Sequence, residues 1–221
     1  MLNRIKGAIF DMDGTLIDSL ILWDVIWENF EKRFSPDKPF RVAPEHDKAI
    51  RTMTLAEAME YINDIYRLAD SSQKLIDAAN EMIYDFYADS VKVKDGVIPF
   101  LEHLKARGIK MCVASATEKS LVFVAMKHCG LDKYFSNVIS CADIGKGKDH
   151  PDIYVEAAKL LGTELSDTCV FEDSAVAAGT AKSIGMMTVG IYDKCNYGHD
   201  ALKNASDEYI DFGETLEKLI K

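Results

Sequence analysis

Two aspartates, Asp11 and Asp13, flank Met12 where the apolar run Ile5-Lys6-Gly7-Ala8-Ile9-Phe10 gives way to Gly14-Thr15. Carboxylates this close repel each other, and removal from water sharpens the repulsion. A divalent cation with oxygen ligands relieves it, and Mg²⁺ is typically held by one or two carboxylates together with a substrate phosphate. The competing reading is an Asp-Gly turn carrying two solvated acids. In an ideal strand residues two apart line the same face but stand apart along its length, so both carboxylates close on one place only where the chain turns out of the strand. Gly14 makes that departure cheap.

Three further polar clusters follow apolar runs. Ser115-Ala116-Thr117 comes after Ile109 to Ala114, and a hydroxyl with backbone N–H groups ahead of a helix is a ready anion site. A plain helix cap by Ser115 or Thr117 is the simpler alternative. Glu172-Asp173-Ser174 comes after Thr168 to Phe171. Capping also accounts for Asp173 and Ser174, yet two more acids beside Asp11 and Asp13 would be costly without a cation. Lys148 lies in Gly145-Lys146-Gly147-Lys148-Asp149-His150-Pro151-Asp152. A lysine in a glycine-containing loop is ordinarily just solvated, but this one offers the charge that several carboxylates and a phosphoryl group need.

The elements that must position these groups can be read from periodicity. A strand is expected over residues 5–10, then a helix over 16–34 from Leu16, Leu20, Trp23, Trp27 and Phe30, broken at Ser35-Pro36. Thr54 with Glu57 makes a capping box for a helix over 55–65, and another helix covers 71–88. From residue 95 helices and strands alternate: helix 96–107, strand 109–114, helix 119–128, strand 137–140, helix 151–161 opened by Pro151, strand 168–171, helix 175–184 and strand 187–191. Weaker elements close the chain near Tyr209 and Leu216. Alternation of this kind implies α/β architecture with parallel strands and right-handed crossovers. The strand at 5–10 joins that sheet, which leaves the helical segment as an insertion.

Composition sets the class. The 221 residues are 48% hydrophobic and 28% charged, as in an ordinary globular protein. A net charge of -10, from 26 basic and 36 acidic residues, disfavours nucleic acid and anionic membrane as partners. It also requires a local cation wherever a phosphate is to bind. The five cysteines form no Cys-x-x-Cys pair and suggest neither a zinc site nor a disulfide framework, and Cys112 and Cys169 read as small core residues. Without an apolar span or a signal-peptide pattern, a cytoplasmic location is expected.

Asp11-Met12-Asp13-Gly14-Thr15, Ser115, Lys148 and Glu172-Asp173-Ser174, in that order, resemble the four motifs of the haloacid dehalogenase superfamily, specifically its phosphatase-type members with a helical cap after the first motif. The resemblance implies a Rossmann-like parallel-sheet core over 1–15 and 95–221 and an all-helical cap over 16–94. It implies Asp11 as nucleophile, forming an aspartyl phosphate, and Asp13 as the acid and base serving the leaving oxygen and the water. Mg²⁺ would be held by Asp11, Asp173 and the backbone carbonyl of Asp13, with Glu172 close by and acting through water. Ser115, the N–H of Ala116 and Lys148 would hold the phosphoryl oxygens. Two departures stand out: Ala177 where the fourth motif usually has glycine, and Asp149 where the third usually has proline. Lys146 is a rival to Lys148, which the spacing to Pro151-Asp152 favours.

The implied reaction is Mg²⁺-dependent hydrolysis of a small phosphorylated metabolite, a sugar or polyol phosphate, by a monomer. Specificity would lie in the cap, where Trp23 could close on the leaving group or simply pack with Trp27, and Arg51 could bind a second acidic group of the substrate. The alternative is a phosphosugar mutase of the beta-phosphoglucomutase type, disfavoured because Trp23 occupies the region where such mutases carry a histidine. A dehalogenase has no use for the acid set, and a non-catalytic binding module on the same fold is the reading from a different class.

Overall fold

The computed structural model describes residues 4–50 and 53–220. The chain divides into two compact units, one made of the segments up to Leu20 and from Val91 onward, the other of Ile21–Ser90.

The first unit is built on a six-stranded sheet. Its strands are β1 (Gly7–Phe10), β2 (Lys110–Ser115), β3 (Asn137–Ser140), β4 (Thr168–Glu172), β5 (Met187–Ile191) and β6 (Glu208–Ile210), in the order β3-β2-β1-β4-β5-β6. Every pairing is parallel. The order reverses at β1, which has β2 on one side and β4 on the other, and a crevice opens beyond the strand ends at such a point.

The second unit contains α1 (Leu22–Phe34), α2 (Pro44–Ile50), α3 (Leu55–Tyr66) and α4 (Ser72–Asp89). One apolar cluster holds it together, with Ile26, Phe30, Ile50, Met59, Ile62 and Leu75 fully buried. The capping box before α3 is present: Thr54 accepts from the Glu57 N–H, and Glu57 Oε2 accepts from the Thr54 N–H at 2.8 Å.

In the first unit follow α5 (Val97–Ala106), α6 (Lys119–His128), α7 (Cys141–Ile144), α8 (Asp152–Leu161), α9 (Ala175–Ser183) and α10 (His199–Ala205). α8 and α9 cover the sheet face that carries Ile9, Cys112, Ala114 and Val170. The opposite face is aromatic. Phe10 stacks on Phe171 with ring centroids 4.3 Å apart, and Phe100 of α5 meets both rings edge-on. Phe10 and Phe171 are also directly paired in the β1–β4 register. Aromatic pairs of this kind contribute roughly 0.5–1.5 kcal/mol beyond their buried area, and this one joins the two strands that end in acids.

Three expectations from periodicity need correction. The helix expected from Leu16 begins at Leu22. Leu16 and Ile17 are fully buried in the sheet unit, where Lys94 N–H donates to Leu16 O at 3.0 Å and Asp18 N–H to Lys92 O at 2.8 Å. Their apolar character served the core, and spacing alone could not distinguish that from a helix face. Pro151 stands just before α8 rather than as its first residue. Finally, α2, α7 and α10 have no counterpart in the sequence reading; the longest of them span 7 residues, too short for a periodic stripe to emerge.

Candidate active site

The strands deliver the acids to one edge. Asp11 follows β1 directly and its N–H donates to Phe171 O at 3.0 Å, which keeps it level with the end of β4. Glu172 is the last residue of β4 and Asp173 the next. Beyond Asp11 the chain turns sharply, with Met12 O accepting from the N–H groups of Leu16 and Ile17 at 2.9 and 3.1 Å. Gly14 takes φ +79°, and a Cβ there would run into the Asp173 carboxylate. This turn is what brings Asp13 to the same edge as Asp11.

Carboxylate oxygens of Asp11, Glu172 and Asp173 lie within 4.8 Å of one another, and all three residues are buried. Lys148, on the segment before α8, is paired with Asp11 and with Glu172, the latter at 2.6 Å. Its side chain is only 11% exposed. Tyr154 of α8 adds a hydroxyl, donating to the same Glu172 oxygen at 3.0 Å. The rival Lys146 pairs with Asp152 at the surface, 2.8 Å away.

Three buried acids against one lysine leave two negative charges uncompensated. Burial, opposed by Lys148 and reinforced by Glu172 and Asp173, carries the Asp11 carboxyl well above the usual carboxylate range. Burial and then Glu172 push Asp173 up to about 7. Burial works against the ammonium of Lys148, yet Asp11 and Glu172 together hold its pKa above the ordinary lysine value. Oε2 of Glu172 is buried without a hydrogen-bond partner among the described residues. An orphaned carboxylate oxygen, three converging acids and two excess negative charges fit a hard divalent cation with oxygen ligands. Gly14→Ala is expected to disturb this cluster on two counts, the left-handed backbone and the collision with Asp173. Thermal denaturation should report a loss above ~1 kcal/mol, and divalent-cation binding should weaken with it.

Asp13 is handled separately. Its Oδ1 accepts from the Ser19 hydroxyl at 2.6 Å and its Oδ2 from the Thr117 hydroxyl at 2.8 Å. The carboxylate therefore faces hydroxyls and stands outside the cluster of Asp11, Glu172 and Asp173. Ser115 ends β2, beside β1 in the sheet, and its Oγ accepts from the Thr117 N–H at 3.0 Å. That bond caps the turn through Ala116 and leaves the hydroxyl proton available to donate. In the helical unit Trp23 packs on Trp27 at 5.6 Å as part of the apolar cluster there. Arg51 lies outside the described residues.

Several partners of the site were not apparent from sequence. Ser19 lay within the over-extended helix. Thr117 carries a sequence signal only as a helix cap. Tyr154 lies on α8, and nothing in its sequence surroundings signals its contact with Glu172. Lys94, Asp193 and Asn196 carry no local signal.

With this geometry in view, likeness to known proteins becomes informative. Residues 5–185 match the family described as haloacid dehalogenase-like hydrolase. The chain belongs to that family, a group of hydrolytic enzymes. It is 24% identical over 215 residues to the phosphorylated carbohydrates phosphatase of Thermotoga maritima, covering 97% of this chain and 98% of the relative. It is 25% identical to the bifunctional riboflavin kinase/FMN phosphatase of Arabidopsis thaliana, over 92% of this chain and 52% of that longer protein. A crystal structure of a candidate beta-phosphoglucomutase from Thermotoga maritima superposes with a TM-score of 0.80 at 25% identity, covering 98% of this chain and 99% of the other. These relatives place the chain in the phosphatase and phosphohexomutase-like part of the family.

Proposed function

We propose that the protein is a Mg²⁺-dependent phosphomonoester hydrolase for a small phosphorylated metabolite, a sugar or polyol phosphate, acting through an aspartyl phosphate on Asp11. The observation that carries this reading is the convergence of Asp11, Glu172 and Asp173 at the end of β1 and β4, with Lys148 paired to the first two. Asp11, Asp173 and the carbonyl of Asp13 would hold Mg²⁺, with Glu172 alongside. The ion would supply positive charge to the phosphoryl oxygens and let Asp11 stay anionic despite burial.

In the first step an Asp11 oxygen attacks phosphorus, the bond to the ester oxygen breaks, and Asp13 gives its proton to that oxygen. In the second, water attacks the same phosphorus while Asp13 takes its proton, and the Asp11–phosphate bond breaks to release inorganic phosphate. Splitting the displacement in two lowers the barrier to each half. Ser19 and Thr117 suit the role of Asp13, because a hydroxyl donates to a carboxylate and accepts from a protonated acid. Asp13 can therefore change protonation without losing its partners. Lys148 and Ser115 would hold the phosphoryl oxygens as charge shifts between them. A cytoplasmic setting suits the cysteines, which are all free.

The test is a hydrolysis screen over phosphorylated sugars, polyols and nucleotides with and without Mg²⁺. Phosphate release from at least one small ester, dependent on the ion, is expected; none from any ester would overturn the proposal. A mutase reading draws support from the likeness to the candidate beta-phosphoglucomutase. Incubation with glucose phosphate and an activating bisphosphate separates the two, since a mutase yields the isomer rather than inorganic phosphate.

The acid cluster also sets a pH dependence. Asp173, at about 7 in the folded chain, lies above its value in an unfolded one. The folded state therefore binds the extra proton, and the contribution of Asp173 to metal-free stability is greatest at low pH and is lost as pH rises from about 4 through 7. Mg²⁺ competes with that proton. Its addition is expected to raise the melting temperature more at pH 8 than at pH 5, as differential scanning fluorimetry would read. An equal shift at both values would contradict it.

A further inference from the structure

We propose that Asn196 is a positioning residue for the divalent-cation site, carried on a loop after β5 that a partly buried Lys94–Asp193 pair ties to the turn at Gly14. The inference rests on the magnesium reading above but concerns residues to which that reading gives no role.

Asn196 Nδ2 donates to Asp173 twice, to the carboxylate Oδ2 at 2.7 Å and to the backbone carbonyl at 3.0 Å. Its Oδ1 accepts from the Tyr197 N–H at 2.8 Å, which fixes which end of the amide faces Asp173. An amide here is chemically apt. It offers two donors to a carboxylate crowded by Glu172 and Asp11 without adding charge of either sign. With Oδ2 held, the carboxylate cannot rotate freely, so its remaining ligating capacity has a set direction.

The loop that presents Asn196 is itself pinned. Asp193, whose side chain is 1% exposed, receives Lys94 Nζ at 2.6 Å on one oxygen and the Cys195 N–H at 2.8 Å on the other. Its carbonyl accepts from the Asn196 N–H at 3.1 Å and lies 2.9 Å from His199 Nε2. Lys94 Nζ spends its other donors on Gly14 O at 2.7 Å and Tyr192 O at 3.2 Å. One ammonium group therefore joins the turn that carries Asp13 to the loop that holds Asp173. Gly14 already packs against that carboxylate so closely that no Cβ fits. The two flanks of the cation site are set by one strut.

The experiment is calorimetric titration of Mg²⁺ into the full-length wild-type protein and into Asn196→Ala and Asn196→Ser, alongside the Mg²⁺ dependence of phosphate release from p-nitrophenyl phosphate. Both variants should bind Mg²⁺ about 10- to 100-fold more weakly, with kcat at saturating Mg²⁺ within about threefold of wild type. A purely structural staple would lower the melting temperature and leave the Mg²⁺ dissociation constant of the folded fraction unchanged, and that result would overturn the inference. So would weaker phosphate turnover with unaltered Mg²⁺ affinity. If one variant fails to fold, the other decides. Wild-type protein that binds Mg²⁺ but hydrolyses no ester would sink the phosphatase reading alone, since the affinity comparison would still decide the role of Asn196.

Discussion

Asp11→Asn is expected to abolish phosphate release, by about 10,000-fold or more, while the protein stays folded. The substitution is isosteric and removes only the charge and nucleophilicity of one oxygen. Removing a nucleophile elsewhere costs roughly a million-fold in turnover, with residual catalysis from binding and positioning. The same change should raise metal-free stability at pH 8. Asp11 is buried beside Glu172 and Asp173, with burial driving its carboxyl toward the neutral form, and the amide needs no proton to be tolerated there. Lys148 keeps its second partner, Glu172, at 2.6 Å. The paired result, less activity and a higher melting temperature, separates a site strained for function from one that is merely packed. Retention of Mg²⁺-dependent turnover within tenfold would refute the assignment of Asp11, and an unaltered melting temperature would refute the electrostatic account.

Lys148→Met should have the opposite effect on stability. Methionine fills much of the lysine stem but supplies no cation, so Asp11, Glu172 and Asp173 would share one buried corner with no positive partner among them. Breaking a buried pair by removing one member costs ~3–5 kcal/mol, and a penalty of that order is expected at neutral pH without Mg²⁺. Mg²⁺ should restore much of it by replacing the lost charge, and acid should restore part by protonating the cluster. Turnover should fall on the order of a thousandfold even with Mg²⁺ present, as for loss of a preorganised donor to a developing oxyanion. Chemical denaturation at pH 5 and pH 8, each with and without the ion, reads all of these. Equal destabilisation under all four conditions would mean that Lys148 contributes packing rather than charge.

What could be read from the chain and what could not divides along physical lines. Asp11, Glu172 and Asp173 announce themselves because strands are short apolar runs that end in visible turns, and the register Phe10 to Phe171 then brings those ends together. The expected strands at 137–140 and 187–191 match β3 and β5 residue for residue. Leu16 and Ile17 misled because an apolar residue reports burial, not the partner that buries it. Thr117, Lys94, Asp193 and Asn196 act through contacts far apart in sequence, 104 residues for Thr117 and Asp13 and 99 for Lys94 and Asp193. Pairings of that span leave no mark on local composition. Lys94 in particular reads as one more surface lysine, although the fold places it against Gly14 and Asp193.

The stacking of Phe10 on Phe171 bears on how such a chain comes to exist. β1 sits at the centre of the sheet, yet its neighbour β4 is synthesised some 160 residues after it. Until then it is an apolar ribbon with an unsatisfied edge, the kind of surface on which nascent chains aggregate or chaperones dwell. The acids at its end share that wait. During synthesis Asp11 is solvated and ordinary; only when Phe171 closes over Phe10 does burial change its chemistry. A polypeptide halted before β4 would carry Asp11 without Glu172 and Asp173 beside it.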